Sequence, residues 1–78
     1  MAKMILKLPK LAVSMQHGTL VEWLVASGST VAQGQPIYVI ETEKTSTEVQ
    51  SPFAGTITTV AELGHSYPVG TPIAEITT

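Results

Sequence analysis

Residues 18–40 read GTLVEWLVASGSTVAQGQPIYVI, and residues 55–76 repeat the same pattern as GTITTVAELGHSYPVGTPIAEI. The offset between the two copies is 37 residues at their start and 36 later, so a single-residue gap aligns them. Each copy is too small to bury an apolar face alone, and we expect the copies to pack face to face about an approximate two-fold axis. The repeat therefore predicts a flattened sandwich of two similar halves.

The residue pattern around the repeat is that of short β-strands. Apolar and β-branched residues alternate between turn formers, and 5 prolines with 6 glycines interrupt every window long enough for a stable helix. We expect Gly28 and Gly64 to turn the chain with positive φ at the end of a strand. The pattern predicts an all-β fold with strands at residues 4–8, 18–24, 37–41, 46–50, 55–60 and 73–77, and short pairings at 30–31 and 67–69.

Composition limits the classes of function. The 78 residues are 44% hydrophobic and contain no cysteine, which predicts one domain spanning residues 1–78 that is held together by burial alone. The net charge of −2 leaves no basic stripe for nucleic acid, and no apolar run approaches the roughly 20 residues of a membrane span. His17 and His65 have no Cys or His at ligand spacing, and the chain has no Asp for a Ser-His-Asp triad. We therefore expect a soluble, intracellular protein with neither a metal site nor a Ser-His-Asp triad.

The segment that joins the two copies, residues 41–52, reads ETEKTSTEVQSP. Its polar residues 42–45 stand between two strand-like runs, which predicts a hairpin with Glu43 and Lys44 at the central turn positions. Lys44 is isolated, because the other three basic residues lie near the amino terminus. An exposed lysine at a turn is ordinarily only a solvated side chain. However, a surface ion pair with a flanking glutamate would contribute only about 0–1 kcal/mol to stability, which is too little to explain these glutamates. Their presence suggests that another protein recognises this hairpin.

These residues also carry a family resemblance. Residues 41–45 (ETEKT), followed by 48–52 (EVQSP) and Gly55, resemble the lipoyl-attachment motif in the acyltransferase components of 2-oxo acid dehydrogenase complexes. The opening is similar too, and it matches at residues 8–11 (LPKL), Met15, 18–23 (GTLVEW), Gly28, Val31, Gly34 and Pro36. The resemblance thus covers essentially the whole chain.

The resemblance implies a barrel-sandwich hybrid, which is a flattened β-barrel of two four-stranded antiparallel sheets with an internal pseudo-two-fold repeat. It implies that Lys44 lies on a β-turn, opposite both termini, and carries covalently attached lipoate. A lipoate ligase or lipoyl transferase would recognise the folded hairpin. The positions that the resemblance implies for recognition by the ligase or a partner enzyme are Glu41, Glu43, Thr45, Gly28 and Gly55.

The resemblance further implies that the domain is a non-catalytic carrier, and it implies the partners of that carrier. They are a thiamine diphosphate-dependent 2-oxo acid dehydrogenase or decarboxylase, which acylates the arm, and the flavoprotein dihydrolipoamide dehydrogenase, which reoxidises it after transfer to coenzyme A. An acetoin-cleaving system is a further possible setting. We expect a monomeric domain excised from a longer acyltransferase rather than a freestanding protein. Its expected location is the cytoplasm in a bacterium or the mitochondrial matrix in a eukaryote.

Some positions depart from the usual family pattern. Many members have Asp where Glu43 stands, Ala where Thr45 stands, and an acidic residue where His17 stands. Biotin carriers share the fold but place Met on both sides of their lysine, so the flanks favour lipoate. A biotin carboxyl carrier domain and a cofactor-free β-sandwich interaction module remain the alternatives. We expect the aromatic residues, including Trp23 and Phe53, to serve in packing.

Overall fold

The computed structural model describes residues 2–10, 13–43 and 45–78. Within these ranges the chain forms eight β-strands and no helix. In chain order they are β1 (Lys3–Lys7), β2 (His17–Trp23), β3 (Thr30–Val31), β4 (Pro36–Glu41), β5 (Ser46–Gln50), β6 (Gly55–Thr59), β7 (Ser66–Pro68) and β8 (Pro72–Thr77). The all-β prediction is confirmed, and every predicted strand or short pairing matches an observed strand to within one residue at each end.

The eight strands form two four-stranded antiparallel sheets that repeat one another. One sheet has the order β5-β4-β2-β7 and the other has the order β1-β8-β6-β3. In the repeat, β1 corresponds to β5, β2 to β6, β3 to β7 and β4 to β8. Replacing each strand of the first sheet by its counterpart therefore gives the strand order of the second sheet. Strand pairs link no strand of one sheet to the other within the described ranges, so the pairing is that of a sandwich rather than of a closed barrel.

The predicted two-fold relation holds at the level of individual residue pairs. In β2 and β4, Leu20 pairs with Ile40, whereas in β6 and β8 the equivalent pair is Ile57 with Ile76. All four side chains have no solvent exposure. Burying an aliphatic side chain of this size contributes about 1.5–3 kcal/mol, so the repeated positions form the centre of the core. Ile37 and its counterpart Ile73 extend the core in the same way.

Each half contributes its short strand to the opposite sheet. After β2 the chain turns at Gly28, whose φ is +92°, and its N–H donates to the carbonyl of Ile57 at 2.7 Å. After β6 the chain turns at Gly64, whose φ is +81°, and its N–H donates to the carbonyl of Leu20 at 2.7 Å. These matched bonds tie the two sheets together, and the positive φ values confirm why glycine stands at both turns.

The strand registers place the joining hairpin and the chain termini at opposite ends of the sandwich. At the hairpin end of its sheet, Thr19 of β2 pairs with Glu41. The chain then runs the length of β2 and reaches β3, where Thr30 pairs with Thr56. Thr56 in turn pairs with Thr77, next to the last residue. The strand β3 that follows β2 therefore lies beside the termini, and the near end of β2 lies beside the hairpin.

Candidate functional site

The hairpin between β4 and β5 closes on a pair of threonines. Beyond the last strand pair, Glu41 with Ser46, the Thr42 N–H donates to the Thr45 carbonyl at 2.8 Å. The Thr42 hydroxyl donates to the same carbonyl at 3.2 Å. Glu43 and Lys44 are thus the two residues between the bonded pair, which confirms the predicted hairpin over residues 42–45. Lys44 itself lies outside the described residues, and its projection into solvent stays a prediction.

The two-fold relation gives this hairpin a counterpart at the chain termini. There the Thr78 N–H donates to the Ala2 carbonyl at 2.9 Å, and the Thr78 hydroxyl donates to that carbonyl at 3.4 Å. The same backbone arrangement is therefore closed by a two-residue turn at one end and left open at the other. The hairpin and the chain ends therefore occupy equivalent positions in the two halves of the repeat.

The side chains around the turn are exposed and acidic. Glu41, Glu43 and Thr45 are all exposed. Among the described residues, basic and acidic side chains are in contact at Lys3 with Glu75, 3.1 Å apart, and at His65 with Glu62, 3.5 Å apart, and neither contact includes a hairpin residue. The exposed carboxylates of Glu41 and Glu43 are accessible to an approaching protein.

The acidic character continues over the outer face of the β5-β4-β2-β7 sheet. The strand register aligns Glu22, Val39 and Glu48 in one row across β2, β4 and β5. Both glutamates of this row are exposed, and Val39 between them is half-buried. This face and the hairpin tip share one sign of charge, which favours encounter with a basic surface on another protein.

A groove runs along one side of the hairpin. It has a volume of about 460 Å³, and its lining residues are Ser14, Met15, Gln16, His17, Thr42, Glu43 and Thr45. Residues 14–17 lie in the segment that enters β2, so two distant parts of the chain form the two walls. We did not predict this groove, although Met15 belonged to the family resemblance and His17 stood out as an unusual residue.

Gly55 is positioned for a close backbone approach near the termini, not at the hairpin. A Cβ on Gly55 would lie 2.6 Å from the Thr77 carbonyl oxygen and 2.8 Å from Cγ2 of Ile76, and its φ is +155°. Gly28 has open space around it and serves the turn that follows β2. The structure does not bring either glycine to the hairpin, whereas Glu43 and Thr45 share the groove. Recognition through Gly28 and Gly55 stays a prediction.

The aromatic residues divide between packing and exposure. Trp23 meets the buried Tyr38 edge to face, with ring centroids 5.4 Å apart, and its indole N–H lies 3.4 Å from the Ala61 carbonyl. Burial raises the pKa of Tyr38 to about 12. The packing prediction is wrong for Phe53, which is 41% exposed, because residue 53 lies in the short loop between β5 and β6, which leaves the ring at the surface.

Two classes of site are absent from the part of the chain that the structure describes. No group of three or more His, Cys, Asp or Glu side chains there could hold a metal ion. No helix in those ranges is long and apolar enough to pass through a bilayer.

The structure is a two-sheet sandwich with duplicated halves that displays a hairpin opposite its termini. Residues 5–76 match the family model for biotin and lipoyl attachment, which is described as "Biotin-requiring enzyme". The chain belongs to this biotin/lipoyl family.

Relatives with assigned names support the same family. The chain is 39% identical over 71 residues to the dihydrolipoyllysine-residue acetyltransferase component of the pyruvate dehydrogenase complex from Corynebacterium glutamicum, with 90% of this chain and 10% of the relative aligned. It is 43% identical over 72 residues to the lipoamide acyltransferase component of the branched-chain alpha-keto acid dehydrogenase complex from Bacillus subtilis, with 91% and 17% aligned. It is 41% identical over 63 residues to the acetyltransferase component of the acetoin cleaving system from Cupriavidus necator, with 80% and 17% aligned. The chain therefore spans less than a fifth of the length of these relatives.

Proposed function

We propose that this chain is a lipoyl carrier domain that bears lipoate on Lys44 and serves the acyltransferase component of a 2-oxo acid or acetoin dehydrogenase complex. The observation that carries the proposal is the hairpin, where the bonded pair Thr42 and Thr45 encloses Glu43 and Lys44 at the end opposite the termini. A group attached there reaches partners freely while the chain ends remain available for a tether.

The flanking residues support lipoate over biotin. The family covers carriers of both cofactors, but Glu43 and Thr45 stand where biotin carriers place methionines. The relatives described above are named for dihydrolipoyllysine or lipoamide. The residues at this end suit a covalently bound acid, because the side chains on both sides of Lys44 are exposed and leave room for an enzyme to reach its amine.

The role of the chain in this function is presentation, not catalysis. The Lys44 amine, with a reference pKa of about 10.4, must lose a proton before it attacks an activated carboxyl group, and the resulting amide is neutral. The Thr42 to Thr45 bonds hold the turn while a ligase binds it, and Glu41 and Glu43 offer that ligase two exposed carboxylates. Bound lipoate supplies a disulfide ring that takes up an acyl group with reduction and releases it to a thiol.

The proposed partners follow from this role. A thiamine diphosphate-dependent enzyme would load the arm, dihydrolipoamide dehydrogenase would reoxidise it, and a lipoate ligase or lipoyl transferase would attach it. The acidic face formed around Glu22, Val39 and Glu48 supports an encounter with basic partner surfaces. We place the monomeric domain in the cytoplasm of a bacterium or in the mitochondrial matrix of a eukaryote, where such complexes operate.

Intact mass after co-expression tests the proposal. With a lipoate ligase and lipoate, the protein should gain the mass of one lipoyl group, and the Lys44→Arg variant should gain none. Lys7→Arg is the matched control, since Lys7 is exposed on β1 and should leave the gain intact. A biotin mass after co-expression with a biotin ligase would favour the biotin carrier, and no mass gain with either ligase would favour the cofactor-free module.

A further inference from the structure

The turn between β4 and β5 is ordered by hydrogen bonds rather than by packing. Glu41, Glu43 and Thr45 are exposed, and Thr42 is only half-buried. Glu41 and Glu43 also carry like charges on either side of Thr42, and the repulsion between them does not favour a compact turn. The conformation of the turn therefore depends on the bonds that cross it.

Thr42 directs two donors at one acceptor. Its N–H nitrogen lies 2.8 Å and its hydroxyl oxygen 3.2 Å from the carbonyl oxygen of Thr45. The N–H bond alone is compatible with several types of two-residue turn, which differ in the backbone dihedral angles of the two central residues. The hydroxyl bond also fixes the Thr42 rotamer and the direction of the carbonyl, so fewer of these turns satisfy both bonds. The Thr42 side chain thus acts on the backbone that carries Glu43 and Lys44.

The other end of the sandwich repeats this pair of bonds without an enclosed lysine. The Thr78 N–H nitrogen lies 2.9 Å and its hydroxyl oxygen 3.4 Å from the Ala2 carbonyl oxygen. At the termini these bonds join the two ends of the chain, whereas at the hairpin they enclose the residue that the proposed function modifies. Only the bonds of Thr42 can act directly on that modification, so Thr78 provides an internal control for them.

We propose that Thr42 is a positioning residue for the modification of Lys44, because its hydroxyl selects the turn conformation in which a ligase accepts the amine. The inference rests on the proposed function and adds a residue to it. Thr42 acts through the backbone of the turn and takes no part in the reaction at the amine. A ligase that binds one conformation of the turn has an apparent KM that rises as the fraction of that conformation falls. The step after binding is unchanged, so kcat stays the same.

Substitutions of Thr42 separate the hydroxyl from the rest of the side chain. Thr42→Val keeps the branched shape and removes the hydroxyl, whereas Thr42→Ser keeps the hydroxyl and removes the methyl group. Loss of one hydrogen bond changes the ratio of conformers by roughly two- to tenfold. We therefore expect the KM for the protein substrate to rise about two- to fivefold in Thr42→Val with kcat unchanged, and to return to the wild-type value in Thr42→Ser. Thr42→Ala, a second variant without the hydroxyl, should show the same rise.

Steady-state attachment of lipoate by a lipoate ligase with ATP tests the proposal, with the concentration of this chain varied and the product measured by intact mass. Thr78→Val is the matched control, because it removes the equivalent hydroxyl bond at the termini and should leave both KM and kcat unchanged. Nuclear magnetic resonance on the unmodified proteins gives a second measurement. The three-bond couplings between the amide and α protons of residues 43 and 44 should move towards averaged values in Thr42→Val and match the wild type in Thr78→Val.

The outcomes separate the positioning role from the carrier function. Wild-type KM in Thr42→Val and Thr42→Ala would overturn the positioning role, while the mass gain of the wild type would still support the carrier function. A KM in Thr42→Ser as high as in Thr42→Val would also overturn it, because the methyl group would then be the cause. An equal rise in Thr78→Val would assign the effect to general loosening of the fold. A wild-type chain that gains no lipoyl mass would overturn the carrier function and the positioning role together.

Discussion

A position can require glycine because a Cβ would not fit or because the backbone has a positive φ. Single substitutions at three glycines of this chain separate these two reasons. A Cβ on Gly18 would lie 2.5 Å from Cγ2 of Ile40, and Gly18 has no positive φ, so its substitution tests crowding alone. Gly28 has a φ of +92° and no atom within 4 Å of a Cβ, so its substitution tests backbone strain alone. Gly55 combines a φ of +155° with a contact of 2.6 Å to the Thr77 carbonyl oxygen.

The expected costs follow from these differences. Gly18→Ala should lower the free energy of unfolding by about 1–3 kcal/mol, because the side chain of Ile40 has to shift to relieve overpacking. Gly28→Ala should lower it by about 1–2 kcal/mol, the cost of a left-handed conformation with a Cβ. Gly55→Ala should cost more than either, about 2–5 kcal/mol, because strain adds to a clash with backbone that cannot rotate away.

Urea unfolding followed by tryptophan fluorescence measures all three variants, since Trp23 packs against Tyr38 in the core. A 78-residue domain has a small total stability, so Gly55→Ala should show the lowest midpoint or no cooperative transition. The reasoning would be refuted if Gly55→Ala were no less stable than Gly28→Ala. Equal slopes of the transitions would confirm that the native folds remain comparable.

Three further predictions concern single polar groups. Ser51→Ala should lower the free energy of unfolding by about 1–3 kcal/mol in urea, because the buried hydroxyl donates to the Phe53 carbonyl at 2.6 Å; an unchanged midpoint would contradict it. Thr42→Val should lower the free energy of unfolding by about 0.5–1 kcal/mol, because the hydroxyl bond to the Thr45 carbonyl is lost. The backbone amide of residue 42 should stay protected in hydrogen exchange, because its own bond to that carbonyl remains. Rapid exchange of this amide in the wild type would count against the closed hairpin. Burial raises the pKa of Tyr38 to about 12, above its ordinary value of 10.0. The free energy of unfolding should therefore fall as pH rises between these two values, because the unfolded chain loses the phenol proton first. Tyr38→Phe should weaken that loss when urea unfolding is measured across the same pH window.

The strand pattern was largely predictable because its signals are local. Pro36 and Pro72 mark equivalent strand starts, and the turns at Gly28 and Gly64 require positive φ in both halves. The hairpin was predictable for the same reason, since a polar tetrapeptide between two strand-forming runs has few alternatives. The outcome for Phe53 shows the limit of such reasoning, because whether a loop side chain packs depends on residues far away in the chain.

The groove was beyond local reasoning. Its walls come from residues 14–17 and residues 42–45, and only the strand pairing brings them together. A signal was nevertheless present in the unequal connections, nine residues before β2 against four before β6, once the repeat was aligned. An insertion in one copy of a repeat shows where the two copies differ, but not what it will touch.

The amino-acid sequence by itself determined the duplicated all-β pattern, the hairpin between the copies and the single lysine within its turn, because periodicity, turn chemistry and charge are read from neighbours along the chain. Only the tertiary structure decided that the short strands exchange between sheets, that the hairpin copies the bonding of the termini, and that Met15 forms a groove beside it. The physical reason is that these features depend on contacts between residues far apart in the chain, which exist only after the two apolar faces have been buried against each other.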